Sequence, residues 1–205
     1  MASMPPSIRQ MQNRFGDKVH DAYDLAAAVH EGQKRKSGEP YITHPLAVAE
    51  LLFSIGADQD VIYAALLHDA LEEGENRMQI EHDIHSRFGD HVLYLVHAVS
   101  KDGRITDSLE KQSAYMEQIT HALELDIFVF FIKVADLIHN MSTISALHPN
   151  MQAQWIRELK YDYMPLFAEF YHRIPTHYRD MYHHLLDAVQ AVIDAYDKQA
   201  ATRRV

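Results

Sequence analysis

The chain has 205 residues, 47% of them hydrophobic, and its 29 acidic and 19 basic residues give a formal net charge of −10. This length suits one domain with a single core, and the acidic balance argues against a protein that coats nucleic acid or anionic membranes. The sequence contains no cysteine, which excludes disulfides, thiolate catalysis and cysteine-ligated metal sites.

Two segments bear on location. The N-terminal stretch MASMPPSIRQMQNRFG lacks the continuous apolar core of a secretory signal. The most apolar run, LDIFVFFIKVAD, is interrupted by Lys133 and Asp136 and is too short to span a bilayer. These features predict a cytoplasmic protein with neither a membrane nor a nucleic acid as partner.

Apolar residues recur every three or four positions along almost the whole chain, without a sustained period of two. This pattern predicts an all-α fold in one domain over residues 1–205, with about eight to ten helices. A first helix ends near Gly38, and the loop SGEPYIT leads into a second helix that Gly56 stops. Asp58 caps a third helix, QDVIYAALLHDALEE, which Gly74 closes. Further helices are predicted over residues 78–88, 90–99, 108–123, 126–141, 151–170 and 176–195.

The third predicted helix ends a buried apolar run in four polar side chains: His68, Asp69, Glu72 and Glu73. Residues four apart share a helix face, so each member of the His-Asp pair is expected to project in register with one glutamate. Three carboxylates this close repel one another, and a bound cation removes the conflict. For this segment alone, acidic residues that simply face water are the alternative.

Two further segments carry similar signals. FFIKVADLIHNM ends a buried run in Asp136, with Asn140 one turn later on the same face; a buried aspartate needs a metal or a cationic partner, and a salt bridge to Lys133 is the alternative. KRKSGEPYITHP places three cations at positions 34–36 before a turn and His44 at a helix start. Taken by itself, this segment would have its three cations on a solvent-exposed face and His44 as a helix-capping side chain.

Together the three segments offer two imidazoles and two carboxylates as ligands: His44, His68, Asp69 and Asp136. Such a mixed set suits Mn²⁺ or Fe²⁺ in a site that keeps positions open for water and a substrate oxygen. The two glutamates are placed to orient that water or shuttle its proton, and the cationic run to hold phosphoryl oxygens. The residues therefore predict metal-assisted hydrolysis of a phosphoester.

Four ordered segments resemble the hydrolase half of Rel/Spo alarmone enzymes: AAAVHEGQKRKSGEPYITHPLAVAELL, AALLHDALEE, FGDHVLYLVHAVSK and DIFVFFIKVADLIHNMST. In size the chain is most similar to the small alarmone hydrolases of the HD-domain phosphohydrolase superfamily. The resemblance runs from about residue 26 to 144, in a motif core of about 20–145 followed by C-terminal helices over about 151–198. It implies an all-α HD domain that binds one Mn²⁺ through His44, His68, Asp69 and Asp136.

The implied reaction removes the 3′-pyrophosphate from guanosine tetra- or pentaphosphate, and Glu72 and Glu73 would be catalytic. The resemblance also implies that Arg35 and Lys36 contact base and phosphates and that Asn140 and Thr143 line the nucleoside pocket. No synthetase segment follows, so a hydrolase-only protein is implied, with a nucleotide as its small-molecule partner. The sequence does not decide whether the protein forms a homo-oligomer.

The sequence departs from the family pattern in two ways. The family usually reads HDxxED, whereas this chain has two glutamates, which lengthens one carboxylate by a methylene. Long family members tend to carry arginine where this chain has Phe128, Leu137 and Ser142. An adenosine alarmone, another 2′- or 3′-phosphorylated nucleotide, or a catalytically impaired nucleotide-binding regulator are therefore the alternatives.

Overall fold

The computed structural model describes residues 4–101, 105 and 107–202, without the side chains of Glu73 and Ser108. In this part of the chain the α-helices are α1 (Pro6–Phe15), α2 (Lys18–Val29), α3 (Thr43–Ser54), α4 (Gln59–Leu67), α5 (Ala70–Glu73), α6 (Arg77–Phe88), α7 (Asp90–Val99), α8 (Ser108–Leu125), α9 (Phe128–Ser142), α10 (Pro149–Glu158), α11 (Met164–Glu169) and α12 (Arg179–Thr202). Short 3₁₀-helices at Ile144–Ala146, Phe170–Arg173 and Thr176–Tyr178 and a π-helix at Leu159–Tyr163 complete them. The predicted all-α class is confirmed.

Helices α4 and α9 form the centre of the molecule. Every residue of α4 from Val61 to Leu67 is buried, as is every residue of α9 from Val129 to Leu137. Helices α2, α3 and α7 pack around α4, while α3, α7, α8 and α12 contact α9. A helix that is apolar on all sides belongs in a core. Polar groups on these two helices therefore emerge inside the protein rather than on its surface.

The C-terminal segment packs on α9 through aromatic side chains. Phe130 stacks on Tyr182 with ring centroids 4.8 Å apart and meets Phe167 edge-on at 5.0 Å. The Tyr178 hydroxyl donates a hydrogen bond to Asp58, at the start of α4. Buried side chains form one continuous cluster that reaches from α1 to α12.

The first predicted helix ends earlier than expected. Helix α2 stops at Val29, nine residues before Gly38, because Gly32 adopts a φ of +75° that turns the chain out of the helix. Residues 30–42 instead form a loop closed by an isolated backbone bridge between Lys34 and Pro40. Helix α1 was not predicted from the sequence, although its buried side chains Ile8 and Met11 lie three residues apart among polar neighbours.

The third predicted helix is broken in two. Helix α4 ends at Leu67 and α5 begins at Ala70, so His68 and Asp69 lie in the break. Both residues keep right-handed helical dihedral angles, so the chain turns on into α5 although the helical hydrogen-bond pattern is interrupted. The helix predicted over residues 151–170 is also interrupted. A π-helix lies within it, because Pro165 has no N–H to pair with the carbonyl four residues before it.

Candidate active site

The four predicted ligands converge from three places in the fold. His44 lies in the first turn of α3, His68 and Asp69 lie in the break after α4, and Asp136 lies in the middle of α9. The His44 Nε2 atom is 3.2 Å from His68 Nε2, 3.1 Å from Asp136 Oδ1 and 3.3 Å from Asp69 Oδ2. The His68 Nε2 atom is 3.4 Å from Asp69 Oδ1 and 3.7 Å from Asp136 Oδ1.

We refer to these four residues as the centre, and both of its imidazoles direct their Nε2 atoms toward the carboxylates. His44 and His68 are 1% and 2% exposed. The Nδ1–H of His68 donates to the Ala65 carbonyl at 2.8 Å, which leaves Nε2 to face the carboxylates. His44 Nδ1 lies 2.7 Å from Nδ1 of His139. A second hydrogen bond of this kind is what orients a metal-binding histidine.

The charges of the centre fit a cation. Burial lowers the pKa of His68, but Asp69 and Asp136 outweigh this effect and raise the pKa to about 9. Burial would raise the pKa of Asp136, yet Lys133 and the two imidazoles hold that pKa well below its usual range. The carboxylates are thus ionised and attract positive charge to the space between the two Nε2 atoms. Donor atoms of His44, His68 and Asp136 lie within 4.8 Å of one another, which suits one metal ion.

Asp136 forms the salt bridge with Lys133 and also faces the two imidazoles. Its Oδ2 atom accepts a hydrogen bond from the Lys133 ammonium at 2.9 Å, so the buried salt bridge exists. Its Oδ1 atom faces the imidazoles and also accepts from the Asn140 amide at 2.6 Å. Asp69 is fixed similarly, since its Oδ2 accepts from the Tyr41 hydroxyl at 2.9 Å. Each carboxylate is therefore oriented by neighbours; the sequence had pointed to Lys133 and Asn140 beside Asp136, but not to Tyr41 beside Asp69.

The residues expected to bind substrate lie beside the predicted metal ligands. The Arg35 Nη2 atom donates to Asn140 Oδ1 at 2.8 Å and to Thr143 Oγ1 at 3.3 Å, which joins the 30–42 loop to the end of α9. These three side chains and the exposed Lys36 line a cavity of about 390 Å³. His44, Asp69 and Asp136 line the same cavity.

Of the two glutamates expected to be catalytic, the structure describes the side chain of Glu72 alone. Glu72 lines the cavity, but it is exposed and its carboxylate accepts a hydrogen bond from the Lys101 backbone N–H. Partial loss of hydration against the protein and the charge of Asp69 raise the pKa of Glu72. The side chain of Glu73 lies outside the described residues.

Sequence reasoning missed several groups that contact the site. His139 lies three residues after Asp136 in the run ADLIHN, and this spacing was the available signal for it. Tyr41 and Lys101 lie within two of the segments quoted above, and Tyr115 lies outside them, but no pattern in the sequence marks any of the three as a site residue. Their positions depend on how α8 and the 30–42 loop pack, which periodicity does not specify.

An all-α fold built around a buried His-Asp pair, with a second histidine and a second aspartate converging on it, defines a known class of helical domain. Residues 22–175 match the family model described as HD domain, and the chain belongs to the HD domain family. Among the described residues, no helix is both long enough and apolar enough to cross a membrane.

Several curated proteins are similar in sequence. The chain is 39% identical over 163 residues to the bifunctional (p)ppGpp synthase/hydrolase SpoT of Escherichia coli K12, a match that covers 78% of this chain and 22% of SpoT. It is 41% identical over 147 residues to a probable guanosine-3′,5′-bis(diphosphate) 3′-pyrophosphohydrolase of Synechocystis, covering 71% and 18%. The chain thus spans about a fifth of the length of these relatives.

Two solved structures share the fold. One is a metazoan ortholog of SpoT, described as hydrolysing ppGpp, with a TM-score of 0.61 and 20% identity over 84% of this chain and 98% of that one. The other is a protein of Listeria monocytogenes, with a TM-score of 0.52 and 23% identity over 77% of this chain and 98% of that one. At this identity they support the helical architecture alone.

Proposed function

We propose that this chain is a metal-dependent hydrolase that removes the 3′-pyrophosphate from guanosine tetra- or pentaphosphate. The observation that carries the proposal is the joining of two groups in one cavity: the His44, His68, Asp69 and Asp136 centre, and the cluster of Arg35, Asn140 and Thr143. The activity named for the Escherichia coli and Synechocystis relatives supports the same reaction.

The four ligands would hold Mn²⁺, with Fe²⁺ or another divalent metal as the alternative, because two imidazole nitrogens and two carboxylates form a mixed donor set. When bound, such a cation supplies a Lewis acid that polarises a phosphoryl oxygen and lowers the pKa of water. His68 and His44 give their Nε2 lone pairs to the centre, since their Nδ1 atoms already face Ala65 and His139.

The other residues would bind substrate and move protons. Arg35 and Lys36 hold the phosphates and base, because a guanidinium and an ammonium make charge-assisted hydrogen bonds to phosphoryl oxygens. Asn140 and Thr143 line the nucleoside side of the cavity. Glu72 and Glu73 would take the proton of the attacking water; the raised pKa of Glu72 favours this role. Water adds to the phosphorus attached to the 3′ oxygen, that P–O bond breaks, the 3′ oxygen gains a proton, and pyrophosphate is released.

A second substrate deserves a test because the wall of the cavity includes Leu137, where long relatives tend to have arginine. The alternatives are an adenosine alarmone, which changes the base and keeps the phosphates, and another 2′- or 3′-phosphorylated nucleotide, which would need fewer cations there if it carried fewer phosphates. Single-domain organisation, a homo-oligomer and a cytoplasmic location also stay predictions; the first is supported by the continuous core.

The test is pyrophosphate release from guanosine and adenosine 3′-diphosphates, with and without Mn²⁺. Asp69→Ala should reduce release by at least about a hundredfold, because the metal would lose a charged ligand. Asp83→Ala is the matched control, since Asp83 belongs to another His-Asp pair, on α6, where it accepts from Gln79. Failure of the Mn²⁺-loaded protein to act on any 3′-diphosphate would refute the proposal. Glu73→Asp would then show whether the longer carboxylate had impaired catalysis.

A further inference from the structure

Two lysines of the cavity lie against the same aromatic ring. The Lys101 and Lys133 ammonium nitrogens are each 5.0 Å from the centroid of Tyr115. Burial lowers the pKa of Lys101 and the charge of Lys133 lowers it further, while Glu72 and the more distant carboxylates offset only part of this effect. Placing two ammonium groups together at a cavity wall costs free energy through repulsion and lost hydration, and an anion bound between them would offset that cost.

The ring that both lysines share is held firmly in place. Tyr115 is buried, and its hydroxyl donates to the Val99 carbonyl at 2.6 Å. Lys133 is also buried; Asp136 compensates its charge at 2.9 Å, and the Tyr163 ring lies 5.5 Å away. Lys101 therefore brings an additional positive charge to a place where one cation is already paired.

Helix α9 sets the order of groups along the cavity. Lys133, Asp136 and Asn140 follow one another at intervals of three and four residues, so they share a face, and the outer two are separated by about 10 Å along the axis. Asn140 accepts a hydrogen bond from Arg35 at one end, and Lys133 and Lys101 both lie against the Tyr115 ring at the other end. The ligand Asp136 stands between them, and these four charged residues and Asn140 line the same cavity. The centre thus has a cationic group on each side.

We propose that Lys101 and Lys133 form the binding subsite for the distal phosphate of a 3′-diphosphate, an inference that rests on the proposed function. With the nucleoside at Arg35 and Asn140 and the reacting phosphorus at the four ligands, the phosphate beyond it reaches the lysine pair. Water attacks the proximal phosphorus, the bond to the 3′ oxygen breaks, and both phosphates leave together as pyrophosphate. The subsite makes the protein select a 3′-diphosphate over a 3′-monophosphate.

A purely structural role for the pair predicts a different result. If the lysines only supported the Tyr115 ring, removing one would change stability but would affect pyrophosphate and orthophosphate equally. Discrimination between these two anions therefore tests the subsite without any need for turnover.

The experiment is calorimetric titration of the Mn²⁺-loaded full chain with inorganic pyrophosphate and with orthophosphate. Lys101→Met should weaken pyrophosphate binding by about tenfold and orthophosphate binding much less, because a charge-assisted contact to the second phosphate is lost. Lys101→Arg should restore most of the pyrophosphate affinity. Lys198→Met, which removes an exposed lysine of α12, is the matched control and should leave both affinities unchanged. Equal pyrophosphate binding by Lys101→Met and the wild-type protein would overturn the proposal.

Failure of this subsite and failure of the proposed function are separable. If the wild-type protein releases no pyrophosphate from guanosine 3′-diphosphates, yet its pyrophosphate affinity depends on Lys101, the subsite stands and the substrate assignment falls. If turnover occurs and Lys101→Met lowers kcat/KM equally for 3′-diphosphates and 3′-monophosphates, the subsite is wrong and the hydrolase remains.

Discussion

At the scale of single residues, the contact between His44 and His139 determines which ring nitrogen of His44 faces the rest of the centre. Burial, together with His44 and Arg35, lowers the pKa of His139 to about 4. His139 is therefore neutral at physiological pH, and its Nδ1 can accept the proton that His44 donates from Nδ1 at 2.7 Å. That hydrogen bond keeps the His44 Nε2 lone pair directed at the other ligands.

Replacing this supporting histidine should weaken metal binding without removing a ligand. We expect His139→Phe to lower Mn²⁺ affinity by about 10- to 100-fold, the usual effect of losing a hydrogen bond behind a ligand. A Mn²⁺ titration followed by calorimetry measures the affinity directly. His121→Phe, at an exposed position on α8, is the control. Unchanged affinity in His139→Phe would show that packing alone orients His44.

The sequence singled out His44, His68, Asp69 and Asp136 as candidate ligands because three of them follow or interrupt apolar runs, where a titratable group requires a partner. It could not identify Lys101 or Tyr41 in the same way. Both stand in polar surroundings along the chain, and only the three-dimensional path of the backbone brings them to the cavity. Glu72 was placed by helical spacing alone, which does not show that its carboxylate accepts a hydrogen bond from the Lys101 backbone N–H.

At the scale of helices, His91 connects the beginning of α7 to two other elements. Its Nδ1 lies 2.8 Å from Asp60 Oδ2 on α4, and its Nε2 lies 2.8 Å from Asp126 Oδ2, at the end of α8. Burial lowers the pKa of His91, but the two carboxylates outweigh this and raise it. Both nitrogens donate only when the imidazole is protonated, so the connection depends on pH.

The sign of this dependence follows from the raised pKa. The stabilisation is fully present below the unfolded-state pKa and is lost as pH rises through the higher folded-state value. We expect His91→Gln to reduce the free energy of unfolding at about pH 6 by no more than ~1 kcal/mol, since the side chain is partly exposed, and to have little effect at about pH 9. Urea denaturation at both pH values measures this, with the exposed His82→Gln as control. A loss that is larger at high pH would contradict the charged bridge.

Helix positions were predictable from periodicity, whereas the interruptions were not. The prediction for residues 90–99 coincides with α7, and that for 108–123 falls two residues short of the end of α8. The break at His68 and the π-helix after Glu158 do not disturb the spacing of the apolar residues. Periodicity therefore predicts an uninterrupted helix at both places. Tertiary contacts decide these details after local propensity has formed the helices.

At the scale of the whole molecule, the centre is attached directly to the core. Asp136 belongs to α9, whose opposite side packs against α12 through Phe130 and Tyr182. His44 lies in α3 and His68 directly follows α4, and these two helices pack on one another. A cation bound at the centre therefore links three helices that the core already holds, and its binding free energy adds to the free energy of unfolding.

Metal loading should consequently raise the thermal stability of the entire chain. At a free Mn²⁺ concentration a hundredfold above Kd, we expect about 2.7 kcal/mol of added stability and a single, higher Tm, because the metal binds only the folded state. Differential scanning calorimetry before and after chelation measures the shift. Asp69→Ala should show a much smaller shift, and an equal shift in that variant would place the stabilising metal elsewhere.

The interruption between α4 and α5 implies a conflict between selection for activity and selection for robustness. A continuous helix through His68 and Asp69 would gain backbone hydrogen bonds, and strong helix formers at these positions would favour it. Engineering that ranks substitutions by stability alone would therefore tend to straighten this segment and dismantle the centre. Variants selected for heat resistance without an activity screen should accumulate inactive substitutions here, a stability–activity compromise concentrated in two adjacent residues.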